Sequence, residues 1–425
     1  MSDASITIFF MLFAVVFFVS EIIPLAVTAM LLSVGLTLTG VLSAKEAFSG
    51  FVDPNVLLFM AMFIIGAAIF ETGMARRIGG QVTRFAKTEK QLIVALMAIT
   101  GVMSGFLSNT GTAAVLIPVV MGIAQKTGFC RKRLLLPLVI AAAMGGNLSL
   151  IGAPGNLIAQ AGLQSEGLSF GFFEFAKIGV PILIVGILYF IFFGQKLLPA
   201  SIESQDSSTT NFFDQTQDNP DAPRWKQNMA FGVLVLTILA MVFEKQLGVP
   251  LYVSAWVGAL ILIVSRVISE SSAMRAIDMK TIMLFVGSLS LAVALHQSGA
   301  GQTIASAMMG LMGTNPSPFI VLLVVFIVAV VLTNFMSNTA TTALLVPICL
   351  AIAEQLNADP KAVLMATVIG GSLAYATPVG MPANTMIYSI GNYRFMDYVK
   401  VGVPLILLAV VVSLVLLPLL FPFFP

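Results

Sequence analysis

Two copies of one polar triplet stand out in this 425-residue chain: Ser108, Asn109 and Thr110, and again Ser337, Asn338 and Thr339. Each stands directly before an apolar run. Ser and Asn are strong helix N-caps, whose side-chain oxygen takes one of the backbone N–H groups that a helix start leaves unpaired. Each triplet therefore predicts the start of a half-helix that aims free N–H groups and the positive end of its dipole ahead of it. Two such ends facing one another make an anion site without a buried Arg or Lys. A single triplet would read as an ordinary cap or a packing hydroxyl; two at matching positions favour binding.

A second pair lies downstream, where GGNLSLIGAPGN (Gly145 to Asn156) resembles GGSLAYATPVGMPAN (Gly370 to Asn384). Gly and Pro at this density predict a broken membrane helix, whose freed carbonyls must find partners. Sodium ions suit such carbonyls, helped by Ser, Thr and Asn oxygens. Aligning the two stretches on Pro154 and Pro378 sets Ala153 opposite Thr377 and leaves the first copy one hydroxyl short. The small run Ala141 to Gly146 is assigned to close packing.

The remaining candidates carry less. Glu71 and Thr72 correspond to Gln297 and Ser298 near helix ends, which suits an interface role, and no pair of membrane acids suggests a proton path. Cys130 and Cys349 lie in different halves and read as space-filling, and the lone histidine, His296, as structural. No Ser/His, paired-Asp or HExxH arrangement falls within a span, so an enzyme is not expected.

The elements that must position these residues are membrane helices. Hydrophobic residues make up 58% of the chain and charged ones 9%, too little polar surface for soluble domains. Apolar spans of about 20 residues recur along it, the length that a hydrocarbon core demands. The first, Ile6 to Val19, lacks a basic flank and a cleavage site and reads as a retained helix. Basic residues do not alternate with aromatics, which argues against a nucleic-acid partner.

Self-similarity runs through the whole chain. IPLAVTAM (Ile23 to Met30) aligns with VPLYVSAW (Val249 to Trp256), and LLFMAMFIIGAAIFETG (Leu57 to Gly73) with MLFVGSLSLAVALHQSG (Met283 to Gly299). SNTGTAAVLIPV (Ser108 to Val119) aligns with SNTATTALLVPI (Ser337 to Ile348), and KIGVPILIV (Lys177 to Val185) with KVGVPLILL (Lys400 to Leu408). The expected organisation is one repeat over 1–198, a polar cytoplasmic linker over 199–224 and a second repeat over 225–425.

Within the first repeat, helices are predicted at Ile6 to Ser20, Pro24 to Leu42, Val56 to Met74, Leu134 to Ala161 (broken) and Val180 to Lys196. Residues 91–125 carry a triplet in their middle. Arg76, Arg77, Arg84, Lys87 and Lys90 precede them and Lys126, Arg131, Lys132 and Arg133 follow, so both ends belong on the basic, cytoplasmic side. A segment that enters and leaves on one side is a re-entrant hairpin. The counterparts in the second repeat are a hairpin over 317–354 and a broken helix over 361–390. Five spans and one hairpin make an odd number of crossings, so the second repeat must be inverted. All Lys and Arg residues except Lys45, Lys177, Lys245 and Lys361 then fall in the cytoplasm, with Lys90 and Lys126 on that face and Asp359 outside. The predicted fold is an all-α polytopic membrane protein of two inverted repeats.

With these motifs in place, the chain resembles the divalent anion:sodium symporters, which carry dicarboxylates or sulfate. Duplicated SNT motifs are that family's hallmark. The stretch Ser372 to Ile387 is similar to its signature, with Ser372, Pro378, Val379, Gly380 and Asn384 in place, Tyr375 where the pattern has Phe and Ile387 where it has Val. The resemblance implies ten helices and two hairpins, lacking the additional N-terminal helix of some members. It also implies a homodimer in a prokaryotic inner membrane and elevator-like alternating access. Carried over residue by residue, it implies a first sodium site from Ser104, Ser108, Asn109 and the Gly152 carbonyl. A second would use Thr333, Asn338 and the carbonyls of Met336 and Ala376. Substrate would meet Asn109, Thr110, Asn338, Thr339 and Thr377. Two separated donor clusters suit the two carboxylates of a C4-dicarboxylate better than a compact sulfate. A sulfate permease, a dicarboxylate exchanger and an anion channel are the alternatives. No organic cofactor is expected.

Overall fold

The computed structural model describes residues 2–81, 88–199, 222–312 and 317–424, and among these it contains helices and no strand. Most of the predicted linker, and Arg84 and Lys87 of the basic cluster, lie outside the described residues. The helices that matter here are α1 (Asp3–Ser20), α2 (Leu25–Leu38), α3 (Pro54–Glu71), α4 (Glu89–Ser104), α5 (Asn109–Thr127), α6 (Arg131–Gly145), α7 (Pro154–Ser165) and α8 (Ala176–Leu197). They continue as α9 (Arg224–Val242), α10 (Leu251–Val264), α11 (Met279–Gln297), α12 (Pro318–Thr333), α13 (Asn338–Leu356), α14 (Pro360–Gly371), α15 (Pro382–Ile390) and α16 (Phe395–Leu420). Seven of them, α1, α3, α8, α9, α11, α13 and α16, are long and apolar enough to cross a membrane. The protein is an all-α polytopic membrane protein.

Local chemistry sets several boundaries. The second helix stops at Leu38, short of the predicted Leu42, because Gly40 turns the chain with a φ of +77°. Asp53 accepts from Asn55 N and Pro54 occupies the first turn, which starts α3. The predicted helix Leu134 to Ala161 is interrupted at 146–153, and its counterpart at 372–381.

The helices pack as two groups. In one, α2 lies against α11, α3 against α10, α9 against α10 and α1 against α2. Contact between α2 and α11 needs Gly287, where a Cβ would stand 2.5 Å from the Ala29 carbonyl oxygen. In the other group, α4 and α5 pack on α6, α12 and α13 pack on α14, and the second half-helices cross over, α7 onto α13 and α15 onto α5. Gly145, in the small-residue run assigned to packing, lets α6 press on the Gly101 carbonyl of α4.

Polar contacts fall on two opposite faces. On one, Arg133 pairs with Glu89 at 2.6 Å, Lys132 Nζ donates to Asn392 O at 2.7 Å, and Lys226 Nζ to Arg266 O at 2.5 Å. On the other, Asn55 donates to Gln164 Oε1 at 2.8 Å, Gln297 to Glu46 at 3.0 Å, and Lys361 approaches Glu174 at 3.8 Å. The Ser43 hydroxyl, then the Gln297 amide, lowers the Glu46 carboxyl from the ordinary 4.5 to about 2, so this tie is charge-assisted at neutral pH.

Candidate functional site

Each triplet starts a helix as its chemistry requires. Ser108 Oγ accepts from Gly111 N at 3.0 Å and opens α5 at Asn109, and Ser337 Oγ accepts from Ala340 N at 3.2 Å and opens α13 at Asn338. The caps leave the N–H groups of Asn109, Thr110, Asn338 and Thr339 pointing off the helix ends without a helical partner. All six triplet residues are half-buried, and all six line one cavity of about 560 Å³. The walls are shared between the two helix groups: Phe59 and Phe63 of α3, and Asp278, Lys280, Thr281 and Leu284 at the start of α11, face the tips. Its lining includes one Lys and no Arg among the described residues. Negative charge beside the triplets would therefore be stabilised chiefly by helix ends.

Oxygens crowd behind each tip. Ser104 Oγ lies 2.8 Å from Asn109 Oδ1 and 2.6 Å from Ala142 O. Thr333 Oγ1 lies 2.7 Å from Asn338 Oδ1 and 2.5 Å from Gly371 O. A hydroxyl has one proton, so at the second tip one oxygen pair meets without a hydrogen between. At the first tip the amide orientation relieves the contact. With its amide turned over, Asn109 would donate to Gly152 O at 3.2 Å, Ala142 O at 3.2 Å and Ser104 Oγ at 2.8 Å. A small hard cation seated among those oxygens would satisfy them equally, and the donor set of hydroxyl, amide and carbonyl oxygens is that of an alkali ion.

The two helix breaks are tied by the same bonds. Asn156 Nδ2 donates to Gly146 O at 2.8 Å and Ser149 O at 2.7 Å, and Asn384 Nδ2 to Ala374 O at 2.8 Å and Thr377 O at 3.0 Å. Ser149 Oγ donates to Gly105 O, and Thr377 Oγ1 to Asn334 O at 2.6 Å. This register corrects the alignment on Pro154 and Pro378. Pro154 opens α7 as Pro382 opens α15, Ala153 corresponds to Met381, and Ser149 takes the place of Thr377. The first half therefore lacks no hydroxyl. Pro378 lies inside the second break, and helix restart is set by the motif Gly-x-Pro-x-Asn at Gly152 to Asn156 and Gly380 to Asn384. That shared pentapeptide is the signal that aligns the breaks correctly.

The other predicted residues fall behind the cavity wall. Thr377 is 5% exposed and is absent from the lining; besides donating to Asn334 O, its hydroxyl accepts from Gly380 N at 3.2 Å. Ser104, Thr333 and Met336 are fully buried, Gly152 lies beside Asn109, and Ala376 N donates to Asn334 Oδ1 at 3.1 Å. Sequence reasoning missed Asn334, whose amide also donates to Val330 O and Leu373 O and so ties α12 to the second break. It also assigned no site role to Ser372, which lines the cavity and meets Asn147 of the other half at 3.0 Å.

A family model described as citrate transporter (CitMHS) matches residues 15–370 and 341–424. An uncharacterized transporter of Escherichia coli, YfbS, is 25% identical, with 96% of this chain and 98% of that protein covered. A sodium-dependent high-affinity dicarboxylate transporter of Caenorhabditis elegans is 24% identical over 91% of this chain and 78% of its own length. Among solved structures, the YdaH transporter of Alcanivorax borkumensis superposes with a TM-score of 0.63 at 16% identity, covering 92% of this chain and 89% of that one. This last likeness concerns the fold alone.

Proposed function

We propose a function from one premise: the chain belongs to the citrate transporter family, CitMHS. It is a membrane transporter and not an enzyme. Its cargo, in our reading, is a small divalent anion, foremost a C4-dicarboxylate, moved together with sodium. The observation that carries this reading is that both Ser-Asn-Thr tips line one cavity, with hydroxyl, amide and carbonyl oxygens gathered behind each. Separated N–H clusters suit separated carboxylates, and sodium ions beside Asn109 and Asn338 would offset the charge that no Arg meets. Sodium-dependent dicarboxylate relatives support the same assignment.

Ser104, Ser108, Asn109 and the Gly152 carbonyl would hold one sodium, and Thr333, Asn338 and the Met336 and Ala376 carbonyls the other. Asn109, Thr110, Asn338 and Thr339 would hold substrate. Thr377 would act by fixing the second break rather than by direct contact. The halves 1–198 and 225–425 would be inverted repeats, and the boundary between the helix groups, where the cavity lies, is where an elevator movement would slide. Substrate and sodium are bound from one face and released at the other as the tips cross that boundary.

Uptake of labelled succinate, citrate and sulfate into proteoliposomes across a sodium titration tests the reading. Succinate uptake that rises with sodium is expected. Sulfate uptake unaffected by succinate, fumarate or malate would overturn the substrate, and succinate exchange indifferent to sodium would overturn the coupling. Ion flux without saturation or counterflow would favour a channel.

A further inference from the structure

Among the described residues lining the triplet cavity, Lys280 is the one cation. It sits in the first turn of α11, which begins at Met279, and its side chain is exposed. Helix α11 has 19 residues and so runs about 28 Å to Gln297, which bonds Glu46 on the opposite face. Lys280 therefore stands at the mouth of the cavity and not at the bilayer midplane where the tips meet.

The neighbouring carboxylate forms no ion pair with it. Asp278 Oδ1 accepts from Lys280 N at 3.1 Å and Thr281 N at 3.4 Å, and its Oδ2 accepts from Thr281 Oγ1 at 2.6 Å. Both oxygens are occupied in capping α11, whose positive end they offset. No carboxylate lies within salt-bridge distance of Lys280 Nζ among the described residues. An ammonium free of an acidic partner at the entrance to a low-dielectric cleft raises the local concentration of anions.

We infer that Lys280 is the capture residue for the anionic substrate on the basic face. It belongs to the helix group that includes α2 and α11, whereas the triplets belong to the other group. Lys280 shares a cavity with the tips in this conformation, and a movement that carried the tips to the far face would take the bound anion away from it. Its effect is therefore one-sided: it lowers the KM for substrate arriving from the basic face and leaves the opposite KM unchanged, and because the overall equilibrium is fixed it lowers kcat from the basic face by the same factor. This rests on the carrier reading above, and no sodium ligand is involved, so sodium dependence stays as it is.

The test compares inside-out with right-side-out membrane vesicles containing the full chain, using labelled succinate at low and high ionic strength. For Lys280→Gln, KM at the basic face should rise roughly three- to tenfold at low salt, and the difference should shrink as salt screens it. Lys280→Glu should raise it further, Lys280→Arg should restore it, kcat from the basic face should rise in proportion to KM, and kcat and KM from the other face should match wild type. Equal KM shifts at both faces, or none at either, would overturn the inference while wild-type transport leaves the carrier reading standing. If the wild-type chain moves no succinate in either vesicle type, the carrier reading fails and the inference with it.

Discussion

At the residue scale, Asn109 and Asn338 carry the most. Each puts its side-chain amide against a buried hydroxyl, Ser104 or Thr333, while its own N–H opens a helix into the cavity. Asn109→Ala and Asn338→Ala should each abolish transport while the protein still folds, since neither side chain fills the core. A hydrogen bond to a charged group contributes about 1.5 to 3 kcal/mol, so succinate or sodium affinity should fall roughly tenfold to a hundredfold. Wild-type uptake by either variant would sink the assignment. These two residues were legible in the sequence because capping is local: Ser108 meets Gly111, three residues on. Thr377 was less legible as a substrate contact. Its hydroxyl is turned away by the Asn334 carbonyl, 43 positions earlier, and no local pattern announces that bond.

At the element scale, the same distinction separates what the sequence disclosed from what it hid. Caps and Gly/Pro density marked the helix starts after Ser108 and Ser337 and the interruptions after Gly145 and Gly371, because those signals act within a turn or two. The register between the two breaks was hidden by Pro378, an extra proline within the second loop. The bonds from Asn156 and Asn384 reveal it, each tying both ends of its break together across 7 and 10 positions. Both amides are nine-tenths or more buried. Asn156→Ala would strip two buried carbonyls of their donor, at a cost of about 2 to 4 kcal/mol, and Asn384→Ala should behave alike. Thermal unfolding in detergent should show both variants losing several degrees, with the ligand-dependent rise in Tm weakened as well. A pair of variants as stable as wild type would mean that the breaks are held by packing, through Gly179 and Gly402, which press on the Asn147 and Tyr375 carbonyls.

At the scale of the whole molecule, polar contacts between helices sort onto two opposite faces. The cavity reaches the start of α11 on the basic face, and at the other face the groups meet where Asn55 of α3 donates to Gln164 Oε1 of α7 at 2.8 Å. Asn55 is 3% exposed whereas Gln164 is exposed, so this contact is half-buried. If the tips cross the bilayer by sliding past α3 and α11, that contact must part in every cycle. A covalent link there should hold the cavity open to the basic face alone. The pair Asn55→Cys and Gln164→Cys, in a background with Cys130 and Cys349 replaced by Ser and Ala, should lose succinate uptake on treatment with a short thiol cross-linker. It should regain uptake when a reducible linker is cleaved, and while linked it should still bind succinate from the basic face. Binding retained with transport lost is the signature of a trapped state, because the site is whole and only the crossing is blocked. Undiminished transport by the linked protein would show that α3 and α7 travel together and would place the sliding boundary elsewhere.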